Sequence, residues 1–291
     1  MNQSPLLRNA SLAVPFVLIW TSAFPAAKIG LLDSPPLLFL SARFLAAGAL
    51  MLAWAHWRGS LTRLSFRDLA VLLALGLLNH ALYLGLSWTG MGSLSSGLST
   101  ILISANPIVV AVIASFLLNE SLSRQKVLGL VLGFAGVAFI VRNRLGGGVD
   151  TLEGFLFVLA ALFTLAFGTV LYKKWPVRTD VLTGTGYQIV LSGLCLLPVA
   201  LWLEDVGNMT LSWSFLGAFA WLVVMVSIVG YQVWFTLLAR GSAGAASVWF
   251  FLTPPVGLLA GSWLLDEPLN TVDFLGIVPV VLGIVLVTRA K

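Results

Sequence analysis

Gly97–Gly129 reads GLSTILISANPIVVAVIASFLLNESLSRQKVLG, and Gly244–Gly276 reads GAASVWFFLTPPVGLLAGSWLLDEPLNTVDFLG. The two stretches keep step without a gap. Gly97, Pro107, Glu120, Leu122 and Gly129 recur as Gly244, Pro254, Glu267, Leu269 and Gly276, and further on Gly136 recurs as Gly283, every pair 147 residues apart. Glycine and proline punctuate helices, so six coincidences in one register mark a duplicated unit. Earlier positions match more weakly at an offset near 145: Lys28 with Lys173, Arg43 with Gln188, Gly48 with Gly193. The repeat divides the chain into residues 1–145 and 150–291.

Composition says what surrounds the unit. Hydrophobic residues make up 59% of the chain and charged ones 9%, against about 25% charged in a soluble domain. The apolar runs are about 20 residues long, enough to cross a ~30 Å hydrocarbon core as helices that satisfy their own backbone. No run alternates as a membrane barrel strand would. Ten spans are expected, near 12–32, 37–57, 69–88, 97–118, 127–141, 154–172, 182–202, 215–238, 243–264 and 272–288. Met1–Leu32 reads as a retained first span rather than a signal peptide, because its apolar part is too long and lacks a small-x-small cleavage site. Trp57, Trp88, Trp175, Trp202 and Trp213 fall at or beside span ends, as interfacial anchors do.

Lys and Arg fix the orientation. With the N-terminus inside, the cytoplasmic segments hold twelve: Arg8, Arg58, Arg63, Arg67, Arg124, Lys126, Lys173, Lys174, Arg178, Arg240, Arg289 and Lys291. The other side holds Arg142, Arg144 and Lys28, and this bias places both termini in the cytoplasm. Scattered through short loops, these charges suit a membrane surface and not a nucleic acid. Five spans per half is odd, so the second half enters the membrane upside down. The expected fold is therefore an all-α membrane protein, ten transmembrane helices as two inverted five-helix repeats. Inverted repeats underlie alternating access in carriers.

These residues carry a likeness. Trp20-Thr21-Ser22-Ala23-Phe24, Pro36 with Arg43, and the pattern P…LLNESL…G at Pro107–Gly129 with its copy at Pro254–Gly276 resemble the drug/metabolite transporter superfamily, in particular its EamA-type ten-span exporters. The likeness runs the whole length of the chain. Within that family, TSAFPAAKIGL and the Trp- and Phe-rich spans are similar to bacterial exporters of amino acids, aromatic ones among them. The resemblance implies a central cavity lined by spans one, three, four, six, eight and nine, with spans five and ten peripheral. It also implies a bacterial inner-membrane location and a small-molecule substrate.

Several side chains are candidates for that lining. Trp20, Thr21, Ser22 and Phe24 in span one meet Phe163 and Phe167 of span six under the repeat. Asn79, His80 and Tyr83 cluster in span three, Ser99 lies in span four, Gln188 in span seven, Tyr231 and Gln232 in span eight, Trp249 and Thr253 in span nine. Such residues offer a flat apolar body with a hydrogen-bonding edge, although aromatic residues also face lipid. His80 reads first as a satisfied packing residue, with cavity lining as the next choice. Pro107 and Pro254 remove a helix hydrogen bond each and are expected to bend spans four and nine at matching depths, which reads first as a gating or cavity role and next as plain kinking.

The charged residues read differently. A cation near mid-bilayer costs about 2.5–3.5 kcal/mol on insertion scales. Arg43 has two readings, an outer-side structural cation on helix carbonyls or a contact for a substrate carboxylate; Lys28 reads as a snorkelling anchor. Glu120 and Glu267 close spans four and nine and read as helix-end fixation, with gating as the next choice. No Asp or Glu lies mid-span, so uncoupled or exchange transport is expected over proton antiport. Gly129-x-x-x-Gly133 is a packing face, within the chain or in a homodimer. One cysteine and two histidines leave no catalytic triad, metal set or cofactor loop, so no enzyme is expected. A multidrug or quaternary-ammonium exporter is the alternative within transport, and a non-transport membrane subunit or membrane-embedded enzyme lies outside it.

Overall fold

Helices start where the sequence supplies a cap. In the computed structural model, Ser65, Ser95, Thr151, Asp180 and Ser212 each accept a backbone N–H from three residues on, and Pro36 occupies a first helical turn, where its missing N–H is harmless. The structure describes residues 5–119, 123–144, 150–240, 249–250, 253–269 and 271–289. Among these all regular structure is helical. We label the stretches α1 (Pro5–Leu31), α2 (Pro36–Trp57), α3 (Phe66–Met91), α4 (Ser96–Leu117), α5 (Arg124–Arg144), α6 (Leu152–Lys174), α7 (Val181–Leu203), α8 (Trp213–Arg240), α9 (Thr253–Leu265) and α10 (Thr271–Arg289). Seven stretches, α1 to α4 and α6 to α8, are long and apolar enough to cross a membrane. Shorter apolar stretches lie at Val256–Leu265 and Thr271–Gly283. Glu120, Gly244 and Leu122, three of the repeat landmarks, lie outside the described residues.

Three helices depart from regular geometry. α3 widens to a π-helix over Leu77–Leu82 and α8 over Leu222–Gly230. Shifted by the repeat distance, the first segment falls within the second. Neither holds a proline, so sequence gives no warning of them. α4 is interrupted at Ala105, with Asn106-Pro107 opening the next turn. Pro107 has no N–H for the carbonyl of Ile103 and its ring crowds that carbonyl, so the helix is interrupted in the turn before it. Pro254 sits in the first turn of α9, where the chain before it is not described.

Packing joins the two halves through equivalent helices: α2 on α7, α5 on α10 and α4 on α9, while α3 packs on α6 and α1 on α8 and α9. Small residues make this possible. Gly48 faces Val190 and Gly193 faces Leu45, so α2 and α7 run antiparallel and exchange the same contact. A Cβ on Gly136 would stand 2.7 Å from the Gly276 carbonyl oxygen, and one on Gly283 would meet the Gly129 carbonyl oxygen. The glycine faces of α5 and α10 are thus used against each other inside the chain, with backbones in contact.

The helix ends form two unlike faces. One carries Asp33, Asp150, Glu204 and Glu267; the other carries Arg58, Lys173, Lys174 and Arg178. On the carboxylate face Glu204 accepts the N–H groups of Leu37 (3.0 Å) and Leu38 (2.8 Å), and Glu267 those of Ser96 (2.7 Å) and Gly97 (3.0 Å). Asp150 accepts from Ser95 N–H at 2.6 Å, and Asp33 accepts the Ser212 hydroxyl. Each tie reaches across the chain to a distant helix start.

Candidate functional site

Two π-helical turns aim polar side chains at the centre of the bundle. A π-turn carries an extra residue, which displaces side chains from the α-helical phase and frequently marks a functional site. In α3 it buries Asn79 and His80; in α8 it buries Ser227 and is followed by Tyr231. From α2, Arg43 enters the same space, 1% exposed, and its Nε donates to Ser227 Oγ at 2.9 Å. Its guanidinium carbon lies 5.4 Å from the Trp88 ring centre and 5.9 Å from that of Phe44, within cation–π range.

Aromatic rings close the cluster. Trp20 stacks parallel to Tyr83 at 6.5 Å and meets Tyr231 edge-on at 5.6 Å. Tyr231 stands perpendicular to His80 at 4.6 Å. Inside lies a cavity of about 20 Å³, room for one water, lined by Trp20, Ala23, Phe24, Arg43, Tyr83, Leu84, Ser87, Trp88, Val226 and Tyr231. A larger cavity of about 360 Å³ lies at the basic face, between the ends of α3, α6, α7 and α8, and reaches Gln188. Rings separate the two spaces: Tyr231 borders the small one and Tyr172 the large one, with Phe235 6.2 Å from Tyr231 and 5.0 Å from Tyr172.

The polar atoms here are short of partners. Both ring nitrogens of His80, both amide atoms of Asn79, Oε1 of Gln188, Nη2 of Arg43 and Oγ1 of Thr21 are buried without a protein hydrogen bond. Buried polar groups are paired in the great majority of cases, and unpaired ones call for an explanation such as water or ligand. Ser96 Oγ and both amide atoms of Asn106 in α4 are unpaired as well, whereas hydroxyls such as those of Ser41, Thr100 and Thr169 bond back to their own helix.

The sequence candidates divide accordingly. Trp20, Phe24, Tyr83 and Tyr231 line the small cavity, with His80, Asn79 and Thr21 buried in the surrounding bundle, and Gln188 lines the large one. Others are engaged elsewhere. Ser22 donates to Ile19 O and accepts from Trp221 Nε1 at 2.9 Å, which ties α1 to α8. Ser99 and Thr253 bond to backbone carbonyls nearby, Gln232 reaches Val181 O at 3.5 Å, and Trp249 is half-buried against the apolar core. Phe163 and Phe167 lie on the exposed stripe of α6 with Leu156, away from either cavity; pairing with span one under the repeat does not determine which way a side chain faces.

Two residues take roles that sequence reading assigned otherwise. Trp88, expected as an interfacial anchor, is 3% exposed and lies under the Arg43 guanidinium. Arg43 bonds a hydroxyl of the other half rather than helix carbonyls. The signal was in α2: Leu40, Arg43, Phe44, Ala47, Met51 and Ala55 follow helical spacing along one stripe, all buried. Lys28 is half-buried near the carboxylate face, in the field of Glu267 and Asp150.

Comparison with known proteins fits this layout. The model of the EamA-like transporter family matches twice, over residues 8–142 and 152–289. An uncharacterized transporter of Bacillus subtilis is 33% identical over 100% of this chain and 95% of its own length. A probable amino-acid metabolite efflux pump of Escherichia coli is 26% identical over 95% of this chain and 93% of its own. A solved crystal structure shares the fold with a TM-score of 0.74, at 16% identity, covering 97% of this chain and 96% of that one.

Proposed function

The chain belongs to the EamA-like transporter family, and from that membership we propose that it is a secondary carrier exporting large neutral amino acids and related metabolites across a bacterial inner membrane. Ten spans form two inverted five-helix halves, and both termini lie in the cytoplasm. The basic face is the cytoplasmic one, by the excess of Lys and Arg in its segments. The reciprocal antiparallel contacts of α2 with α7 and of α5 with α10 support this arrangement, since a two-fold axis perpendicular to the helices produces such pairs.

One observation carries the mechanism: the large cavity opens toward the basic face and ends at Gln188, while four carboxylates tie the opposite face together. Such asymmetry is that of a carrier loaded from the cytoplasm. Substrate passes the Tyr231–Phe235–Tyr172 rings as the halves rock, and leaves when the carboxylate ties part. Substrate class follows from the lining. Trp20, Tyr83 and Tyr231 present flat rings with polar edges, which match a large uncharged side chain, and similarity to a probable amino-acid metabolite efflux pump of Escherichia coli supports amino-acid metabolites. A cationic drug fits poorly, because it would meet Arg43 with no carboxylate to receive it.

Purified protein in liposomes, preloaded with unlabelled amino acids and presented with labelled ones, tests the proposal. Counterflow of aromatic or other large neutral amino acids is expected, without stoichiometric proton movement. Absence of counterflow across the whole panel would overturn the substrate assignment, and obligatory proton flux would overturn the uncoupled mechanism.

A further inference from the structure

We propose that Arg43 is the anchor for a substrate carboxylate, so that the central site selects small organic acids by their negative charge. The inference rests on the carrier reading above for its place in transport, but the binding itself stands on local geometry. A guanidinium is permanently charged and offers five N–H donors in a rigid fork, the geometry that receives a carboxylate through two parallel bonds. Here one donor, Nε, is fixed on Ser227, while Nη2 is buried and unpartnered at the edge of the cavity. The rings of Trp88 and Phe44 sit beside the cation and lower its cost, but a ring face does not take the place of a hydrogen-bond acceptor.

Charge balance points the same way. Among the described residues no acidic side chain pairs with Arg43; the carboxylates sit at helix ends, engaged with backbone N–H groups. Lys28, by contrast, shares the field of two acids. A buried charge without a counter-ion is costly, and an incoming anion removes that cost where an amine or a neutral body does not. The bond from Arg43 to Ser227 also joins one half to the other. The cavity of about 20 Å³ admits an organic ligand only when the halves part, which stretches that bond and frees a second donor for the ligand.

A matched set of probes tests this, first on the wild-type protein and then on two Arg43 variants. Binding of L-phenylalanine, 3-phenylpropionate, phenethylamine and L-phenylalanine methyl ester is followed by tryptophan fluorescence of the purified protein, since Trp20 and Trp88 line the site. The two carboxylates are expected to bind at least tenfold more tightly than the amine and the ester. Arg43→Gln is expected to erase that difference and Arg43→Lys to restore part of it, with size-exclusion profiles reporting folding. Equal binding of phenethylamine and phenylalanine by the wild-type protein, or no binding of either carboxylate, would overturn the proposal. Carboxylate binding that depends on Arg43 without counterflow of any probe would leave the anchor standing and remove the carrier reading instead.

Discussion

The two ends of the bundle hold themselves together by different chemistry. On the carboxylate face Asp33, Asp150, Glu204 and Glu267 each reach from one half of the chain to the other. On the basic face, among the described residues, caps are local: Ser65 with Asp68 and Asp180 with Thr183. What crosses there is weak, a hydroxyl pair of Thr62 and Thr179 at 3.4 Å and the Thr183 hydroxyl to Ser60 O at 3.3 Å. A carboxylate on a helix start gains from charged hydrogen bonds and from the helix dipole together. The difference teaches that the carboxylate end is held by a few charged hydrogen bonds, and the large cavity lies where such bonds are replaced by neutral contacts.

Changes at the sealed end are therefore expected to matter most. Glu267→Ala strips two N–H groups of their acceptor and is expected to cost about 2–3 kcal/mol, measured as a lower unfolding midpoint in detergent. The same variant is expected to expose the centre from outside: in a Cys195→Ser background, Ser87→Cys reacts faster with a membrane-impermeant thiol reagent. No gain in labelling would mean that Glu267 is a simple helix end. His80→Ala, at the ring barrier between the two cavities, is expected to cut transport about tenfold, or about 1.4 kcal/mol, with an unchanged size-exclusion profile; unaltered flux would remove the barrier role. Glu204→Gln keeps one acceptor and is expected to cost about 1 kcal/mol by the same midpoint measurement. The smallest effect belongs to the open end, where Thr62→Ala with Thr179→Ala is expected to stay within about 0.5 kcal/mol of wild type. A larger loss there would erase the contrast between faces.

Much of the architecture was legible. Apolar run length and turn residues locate the helices to within a few residues, except that α1 begins at Pro5 and the described helix of span nine begins at Thr253, most of that span's first ten residues lying outside the described ones. The site was legible in part. Trp20, Phe24, Tyr83 and Tyr231 stand at the cavity, but Phe163 and Phe167 face outward and Trp88 faces in. The reason is physical. In lipid both faces of a helix are apolar, so the polar stripe that orients a helix in a soluble protein is missing. Arg43 stood between two readings, helix carbonyls or a substrate carboxylate, because a sequence does not show that α8 brings Ser227 to its Nε.

The widened turns in α3 and α8 leave each helix with surplus chain relative to a regular one of the same rise. Removing a single amino acid between Leu222 and Gly230 would let α8 relax to ordinary winding while both flanks keep their length in the bilayer. The side chains of the widened turn, Ser227 among them, would return to α-helical phase and leave the centre while the flanks keep their facing. Which side chains reach the pocket is thus governed by winding, and a point insertion or deletion there acts as a dial on which atoms face inward.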